Sequence, residues 1–250
     1  MKTISFAQIN RDGSILVENE LFKQYHTKEM LNRYDSNLLA FKKMPSLQEF
    51  IEAEQQLHTH HQQYGQHHLK FLFPPNEKIR GEVAAYLISE RYSISFLELY
   101  SIEPGRFSGG KNPEVEVRFA KEEDLTALLE LNYNEDLKYG SNFAAEKQGH
   151  LQRTFMNVGR YFVIAYIDGV PVGFLQLIEE PDTVEIDNFF VLDSMQKKGI
   201  GSQMQQFVMD HFAEKTIILV AEGEDTAREM YRKQKYEYAG FQYEALKVEE

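Results

Sequence analysis

Residues 191–204 read VLDSMQKKGIGSQM, a segment that joins an apolar run to a helical pattern. Gly199 and Gly201 lie two positions apart, and Gln196 precedes the first glycine by three. A helix that begins at Ile200 leaves its first backbone N–H groups without internal partners and places the positive end of the helix dipole there. Glycine also lets a ligand approach the backbone closely. The segment is therefore either a phosphate-binding turn or an ordinary turn between a strand and a helix.

The sequence around this segment predicts an α/β layer. Asp168-Gly169 lies between two apolar runs, which is a strong signal for a hairpin turn. After Ile200, apolar residues recur every three or four positions, as in an amphipathic helix. The predicted elements are a strand at 114–119, helices at 121–137 and 142–157, two hairpin strands within 160–180, a strand at 183–193, a helix from Ile200, a strand at 216–221, a helix at 224–236 and a strand or strand pair at 236–248. This order predicts a mixed, mainly antiparallel sheet flanked by helices, with a parallel crossover.

The first half of the chain predicts a second, smaller α/β unit. Its predicted elements are a strand at 36–44, a helix at 46–64, a strand at 67–73, a helix at 77–90 and a strand at 92–102. This order echoes the last five elements of the chain without the glycine loop, so a degenerate repeat and an unrelated α/β cap both remain open.

The segment EPGRFSGGKNPE, residues 103–114, reads as a boundary between the two halves. It concentrates Gly, Pro, Ser and charge between two patterned regions, as expected of a linker. We therefore expect an N-terminal α/β domain at 1–105, a linker at 106–113 and a second domain at 114–250.

Composition excludes several kinds of site. Without cysteine the chain has no disulfide, no thiolate nucleophile and no cysteine metal site, which fits a reducing cytoplasm. The N-terminus lacks the apolar core of a signal peptide, and no apolar run is long enough for a membrane span. Residues 114–250 hold 26 acidic and 14 basic side chains, against 13 of each in residues 1–113. We expect a cytoplasmic protein that binds neither nucleic acid nor membrane, and whose acidic half tolerates a cationic substrate.

The histidine-rich stretch HTHHQQYGQHH, residues 58–68, does not predict a metal site. On a helix only His58 and His61 would share a face, and a metal ion needs at least a third ligand. We read the stretch as a polar helix end followed by a strand, and we predict no metal.

Known phosphate loops help to interpret residues 191–204. A Walker loop needs Gly-Lys-Ser/Thr, and a dinucleotide fingerprint needs three glycines and an acid about 20 residues later, neither of which the segment has. The phrase FFVLDSMQKKGIGSQM, the hairpin DGVPVGF and AREMY after a buried strand resemble the GNAT superfamily of acetyl-coenzyme A dependent N-acetyltransferases. The resemblance covers about residues 114–246, and the family signature Gln/Arg-x-x-Gly-x-Gly/Ala matches at Gln196, Gly199 and Gly201.

The resemblance implies a site for acetyl-coenzyme A along this segment. The backbone N–H groups of residues 197–202 would hold the pyrophosphate, and the main chain of residues 190–192 would pair with pantetheine. The implied coenzyme-binding residues are Phe190, Val191, Leu192, Gln196, Lys197, Lys198, Gly199, Ile200, Gly201 and Ser202.

Acetylation of an amine needs a proton acceptor, because a free alkylamine has a pKa of about 10.4. Glu185 and Asp187 lie two apart on a predicted strand and so point to one face. The resemblance makes Glu185 the first candidate base and Asp187 the second, while hydrated sheet residues are the alternative reading. It also implies Tyr231, four residues after Ala227, as the acid that protonates the thiolate, and the Leu192 N–H as the oxyanion donor.

The resemblance therefore predicts an acyltransferase that moves an acetyl group from acetyl-coenzyme A to a primary amine by direct attack. A non-catalytic module that binds an acyl-coenzyme A as a sensor or scaffold is the alternative. The acceptor is open among small amines, antibiotics, polyamines, amino acids and protein amines. The aromatic last strand, residues 236–248, suits a sheet, an acceptor pocket or the seam of a homodimer.

Overall fold

The computed structural model describes residues 3–110, 112–223 and 227–249. Its strands are β1 (Ser14–Glu18), β2 (Phe22–His26), β3 (Leu38–Phe41), β4 (His68–Leu72), β5 (Ser93–Ile102), β6 (Glu116–Phe119), β7 (Arg160–Ile167), β8 (Val170–Glu179), β9 (Thr183–Val191), β10 (Thr216–Glu222) and β11 (Glu237–Val248). Its α-helices are α1 (Leu47–Gln63), α2 (Gly81–Ser89), α3 (Leu125–Asp136), α4 (Ser141–Thr154), α5 (Ile200–His211) and α6 (Ala227–Lys233). No helix within these ranges is both long and apolar enough to cross a bilayer.

The eleven strands form one sheet in the order β1-β2-β3-β4-β11-β5-β10-β9-β8-β7-β6. Two strands are exchanged between the halves of the chain. The C-terminal strand β11 lies between β4 and β5 and is antiparallel to both, and β5 pairs on its other side with β10. The sheet thus continues across the linker, and the division into 1–105, 106–113 and 114–250 stays a prediction.

The strand order is symmetric about the pair formed by β11 and β5. On one side β3 is parallel to β4, and β4 is antiparallel to β11. On the other side β9 is parallel to β10, and β10 is antiparallel to β5. A helix follows each of the corresponding strands, so the topology matches the degenerate repeat that the sequence leaves open. The repeat itself remains a hypothesis.

The two halves differ most at the turn before the first crossover helix. In the N-terminal half, Glu49 accepts hydrogen bonds from the Ser46 N–H (2.8 Å) and hydroxyl (2.9 Å), and the Ser46 oxygen accepts the Glu49 N–H (3.3 Å). This capping box covers the start of α1 with the protein's own carboxylate. The corresponding turn before α5 has a glycine at its N-cap instead.

The predicted fold class, a mixed sheet with flanking helices in the second half and an α/β unit before it, is confirmed. The sequence pattern missed β1 and β2. All five residues of β1 are exposed, so no alternation marks it. The predicted final strand or strand pair is one strand, β11, with a bulge between Tyr238 and Gly240. Of the helix predicted at 224–236, residues 224–226 lie outside the described residues.

Buried apolar side chains lie on both faces of the sheet. The α5 face of the second half packs Ile200, Met204 and Val208 against strands β7 to β10. The opposite face packs Leu128 and Leu151, from α3 and α4, against β7 and β8. A third cluster surrounds Phe50 and Phe71 in the first half. The ends of β9 and β10 are held between these cores.

Asp12 joins the N-terminal segment to the second half through a nearly buried ion network. Its carboxylate accepts Arg33 Nη1 and Arg160 Nη2, each at 2.6 Å, and the Asp12 side chain is only 11% exposed. Asp12→Asn leaves two guanidinium groups without their shared carboxylate. We expect the free energy of unfolding to fall by about 3 kcal/mol, measured by urea titration.

Glu18→Gln is the control for this prediction. Glu18 also binds two cations, Lys23 and Lys42, but its side chain is 45% exposed, so we expect a much smaller loss than for Asp12→Asn. Equal losses for the two variants would contradict a stabilising role for the Asp12 network.

Candidate functional site

The glycine turn between β9 and α5 presents backbone N–H groups at the start of a helix. Gly199 is the N-cap with a φ of 78°, and Lys197 also has a positive φ of 61°. The Gln203 N–H donates to the Gly199 carbonyl at 3.0 Å. Within the described ranges, the N–H groups of residues 197–202 have no hydrogen-bond acceptor. The turn therefore offers a set of unpaired donors at the positive end of a helix, which suits an anion.

Side chains near the turn fix its shape. Gln196 Nε2 donates to Asp193 Oδ1 (2.8 Å) and to the Val191 carbonyl (3.3 Å). Asn112, from the predicted linker, donates its Nδ2 to the Lys198 carbonyl at 2.8 Å. The Gln196 side chain thus shapes the turn, and the linker lies against it. Lys197 and Lys198 are exposed, whereas the Ile200 side chain is buried and only its backbone faces the turn.

Gly201 brings α5 close to β9. A Cβ at this position would lie 3.3 Å from the Phe189 ring and 3.8 Å from Val191 Cγ2. Because the helix packs so tightly there, its first turn borders the same strand segment that the resemblance assigns to pantetheine. The Ser202 hydroxyl oxygen accepts Gln234 Nε2 at 3.2 Å, which leaves the Ser202 N–H and the hydroxyl hydrogen available for an anion.

The Leu192 N–H is not the oxyanion donor, because it already donates to the Val172 carbonyl at 2.9 Å. The Leu192 carbonyl accepts the Met195 N–H at 2.7 Å and has one lone pair left for pantetheine, so the coenzyme contact of Leu192 stays a prediction. In an antiparallel pair, successive residues point their N–H and C=O groups alternately toward and away from the neighbouring strand. Phe190, like Leu192, therefore points its main-chain groups toward β8, whereas the Val191 N–H points away from β8. Of residues 190–192, Val191 therefore has the main-chain donor that faces β10.

The strands β9 and β10 separate at the point where these groups lie. Their parallel pairing runs from Thr183 opposite Thr216 to Ile186 opposite Leu219. Beyond Ile186, β9 follows β8, whereas β10 follows β5 as far as Glu222. A gap therefore opens between the C-terminal ends of two parallel strands.

A bulge in β9 borders this gap. Asn188 has a φ of 46°, and Asn188 and Phe189 together lie opposite a single residue of β8. Asn188 Oδ1 accepts Lys147 Nζ at 2.9 Å, and its Nδ2 donates to Asn132 Oδ1 at 3.2 Å. Helices α3 and α4 thus hold the bulge from the face opposite α5. Sequence reasoning missed these residues, although an asparagine inside a strand is a signal for positive φ.

A cavity of about 940 Å³ lies on that opposite face. Asp187, Asn188 and Glu222 line it beside the gap, and Arg33 and Lys70 line it from the first half of the chain. A second cavity, of about 1320 Å³, lies at the other ends of β9 and β10, and none of the predicted site residues lines it. The cavity at the gap, which we call the acceptor cavity, is therefore the one lined by residues 187–190 of β9, the strand that leads to the glycine turn.

Glu185 and Asp187 share a face as predicted, but only Asp187 lines the acceptor cavity. Glu185 is buried, and its Oε2 accepts the Asn10 N–H at 2.7 Å. Burial and the nearby Asp187 charge raise the pKa of Glu185 to about 8. A carboxyl group with this pKa is mostly protonated at neutral pH. The geometry therefore favours Asp187 over Glu185 as the group that meets an acceptor.

The raised pKa makes stability depend on pH in a defined direction. Between about pH 4.5 and 8 the folded protein holds the Glu185 proton that the unfolded chain has lost, so this group lowers stability as the pH rises through that window. Glu185→Gln keeps a carbonyl oxygen for the Asn10 N–H and removes the buried charge.

We expect the melting temperature of Glu185→Gln to exceed that of the parent at pH 9 and to approach it near pH 4.5. The check is thermal unfolding across this range. A difference that does not change with pH would contradict the raised pKa.

Tyr231 lies on the α5 face, away from the acceptor cavity. Its ring packs 5.2 Å from the Tyr100 ring and 5.3 Å from the Tyr236 ring, and it is 8% exposed. Tyr100 belongs to β5, so the first half of the chain supplies a wall beside Tyr231. Tyr231 and Asp187 lie on opposite faces of the sheet. A group that serves the amine and a group that serves the sulfur would therefore approach the gap from different sides.

Two family models match the chain. Residues 4–100 match a domain of unknown function (DUF5613), and residues 122–236 match the acetyltransferase (GNAT) family. Residues 122–236 belong to the GNAT family. The family acts by acyl transfer and generally uses an acyl-coenzyme A, and the gap and glycine turn lie inside the matched range.

Solved structures with the same fold match most or nearly all of the chain. A functionally unknown conserved protein from Staphylococcus epidermidis is 30% identical, with a TM-score of 0.90 over 99% of this chain and 98% of that one. A GCN5-related N-acetyltransferase from Kribbella flavida is 15% identical, with a TM-score of 0.62 over 93% and 88%. One from Sphaerobacter thermophilus is 12% identical, with a TM-score of 0.58 over 91% and 76%. No curated protein sequence matches the chain.

The residues of the GNAT domain fit a coenzyme at the glycine turn. Among the residues that the structure describes, the N–H groups of residues 197–202 have no acceptor, and a Cβ on Gly199 would come no closer than 3.7 Å to its nearest neighbour, Asn112. In the first half the corresponding turn is covered by Glu49. An anion is thus accommodated at one of these two turns and opposed by a carboxylate at the other.

Proposed function

We propose that the protein transfers an acetyl group from acetyl-coenzyme A to a primary amine by direct attack in a ternary complex. One observation carries the proposal: the segment 187–191 borders both the glycine turn and the acceptor cavity. A donor held at the turn and an amine held in the cavity would therefore meet at the gap between β9 and β10.

The coenzyme would be held by main-chain groups. The N–H groups of residues 197–202 would bind the pyrophosphate, and the Val191 N–H would bind along pantetheine or at the thioester oxygen. Donors fixed in this way need no reorganisation when negative charge develops on that oxygen. The Lys197 and Lys198 side chains add positive charge beside the turn.

The chemistry requires two proton movements. The amine nitrogen forms a bond to the carbonyl carbon as the carbon–sulfur bond breaks, and the nitrogen loses a proton while the thiolate gains one. We assign the proton on nitrogen to Asp187, directly or through water, because its carboxylate lines the cavity. We assign the proton for sulfur to Tyr231, whose ring lies on the opposite face among Tyr100 and Tyr236.

The first half of the chain would complete the acceptor site. Arg33, Asp35 and Lys70 line the cavity opposite the gap. We therefore propose that the N-terminal half shapes the acceptor pocket rather than binding a coenzyme of its own, in agreement with the capped start of α1.

Release of free thiol from acetyl-coenzyme A, measured across a panel of amines with mass spectrometry of the products, tests the proposal. We expect acetylated amine in equal amount to free thiol. Calorimetry with coenzyme A and acetyl-coenzyme A provides the second measurement. Binding without turnover on any amine would favour a sensor or scaffold, and no binding at all would contradict the coenzyme site.

A further inference from the structure

The charges that line the acceptor cavity are unbalanced. Six carboxylates and four Lys or Arg side chains line it. The carboxylates are Asp35, Glu135, Asp136, Asp187, Glu222 and Glu244, and the cations are Arg33, Lys70, Lys138 and Lys147. An excess of two negative charges in a partly enclosed cavity favours a positively charged ligand.

The cations of the wall are already paired with carboxylates of the protein. Lys70 Nζ lies 2.5 Å from Asp35 and 3.0 Å from Glu244, and its side chain is 8% exposed. Lys147 Nζ lies 2.9 Å from Asp136 Oδ1. Arg33 binds Asp12, and Lys138 binds Glu135. An anionic ligand would have to compete with these carboxylates, so the wall has few cationic groups free to bind it.

Several acceptor oxygens of the wall have no hydrogen-bond donor among the described residues. Asp187 and Glu222 make neither a direct hydrogen bond nor a direct ion pair with a described residue, although the nearby charges of Arg33 and Lys147 act on Asp187. The Asp136 Oδ2 atom is buried without a hydrogen-bond partner, and Asp136 as a whole is 3% exposed. Burial raises the pKa of Asp136 although Lys147 donates to its other oxygen. These oxygens require hydrogen-bond donors from the ligand.

We propose that the acceptor is a small aliphatic amine that carries at least two positive charges, such as a diamine or a longer polyamine. The inference rests on the proposed function. The reacting nitrogen lies at Asp187 beside the gap, and a second ammonium group binds to the carboxylates farther along the wall. Asp35, whose side chain is 67% exposed, and Glu222, which is also exposed, are the accessible members of that set.

The test compares α,ω-diamines with monoamines of the same carbon number. We expect kcat/KM to be at least about tenfold higher for the best diamine than for its monoamine, a ratio that falls as salt is added. In the double variant Asp35→Asn, Glu222→Gln we expect this ratio to fall below about threefold. Both side chains are exposed, but Asp35 also binds the nearly buried Lys70, so a melting curve checks that the variant is folded.

Glu82→Gln is the matched control, because Glu82 is an exposed carboxylate on α2 away from the cavity. It is expected to leave the ratio unchanged. Monoamines or amino acids that react as well as every diamine would overturn the inference while leaving acetyl transfer intact. A protein that acetylates no amine contradicts the proposed function instead, so the two failures are distinguishable. An unchanged ratio in the double variant would also overturn the inference.

Discussion

Gly199→Glu is expected to weaken the binding of acetyl-coenzyme A by at least about 100-fold, which corresponds to about 2.8 kcal/mol. The new carboxylate would stand beside the unpaired N–H groups of residues 197–202, where it competes with the pyrophosphate for the same donors and repels its charge. Calorimetric titration with coenzyme A measures the loss. The first half of the chain already has this arrangement, because Glu49 caps the start of α1.

Gly169→Glu is the control for backbone strain. Gly169 has a φ of 76°, close to the 78° of Gly199, and it lies in the turn between β7 and β8 with open space around it. The two variants therefore share the cost of a side chain in the left-handed region. Only Gly199→Glu is expected to lose coenzyme affinity. Intact coenzyme binding in Gly199→Glu would show that the turn does not hold the pyrophosphate.

Asp187→Asn is expected to lower kcat by about 100-fold or more while the affinity for acetyl-coenzyme A stays the same. Asparagine keeps the size of the side chain and removes the proton acceptor that lines the acceptor cavity. The loss should shrink at high pH, because more of the free amine is then deprotonated before it binds, its pKa being about 10.4. Initial rates from pH 7 to 10 measure both effects.

Glu185→Gln distinguishes the role of Glu185 from that of Asp187. Glu185 does not line the acceptor cavity, and its pKa of about 8 keeps it mostly protonated at pH 7. We expect this variant to retain most of its kcat at pH 7. A larger loss in Glu185→Gln than in Asp187→Asn would assign the base to Glu185, as the family resemblance alone implies.

The sequence contained enough to predict the second half of the fold. The Asp168-Gly169 turn, the apolar spacing after Ile200 and the pair Gly199 and Gly201 depend on neighbours close along the chain, and the structure has the hairpin, α5 and the turn where they were expected. The family match supports the same reading. Local signals of this kind follow from backbone geometry and helix periodicity, which a single sequence carries.

The sequence does not show which strands pair when they lie far apart along the chain. Nothing in β11 marks it as a partner of β4, because strand patterns encode which face is buried and not which strand lies alongside. The bulge at Asn188 and the bond from Leu192 to Val172 likewise depend on the register between β8 and β9. The resemblance ranks Glu185 before Asp187, whereas the geometry favours Asp187, for the same reason. Their spacing fixed a shared face, but only the packed N-terminal segment determines which one is covered.

The exchanged strands set an order for folding during synthesis. Strands β4 and β5 each present an edge to the position that β11 occupies, and β11 follows every other described strand along the chain. Until residue 248 has left the ribosome, the sheet of the first half cannot close. The N-terminal half should therefore stay accessible to chaperones until β11 has emerged, although domains usually fold as units in the order in which they are synthesised.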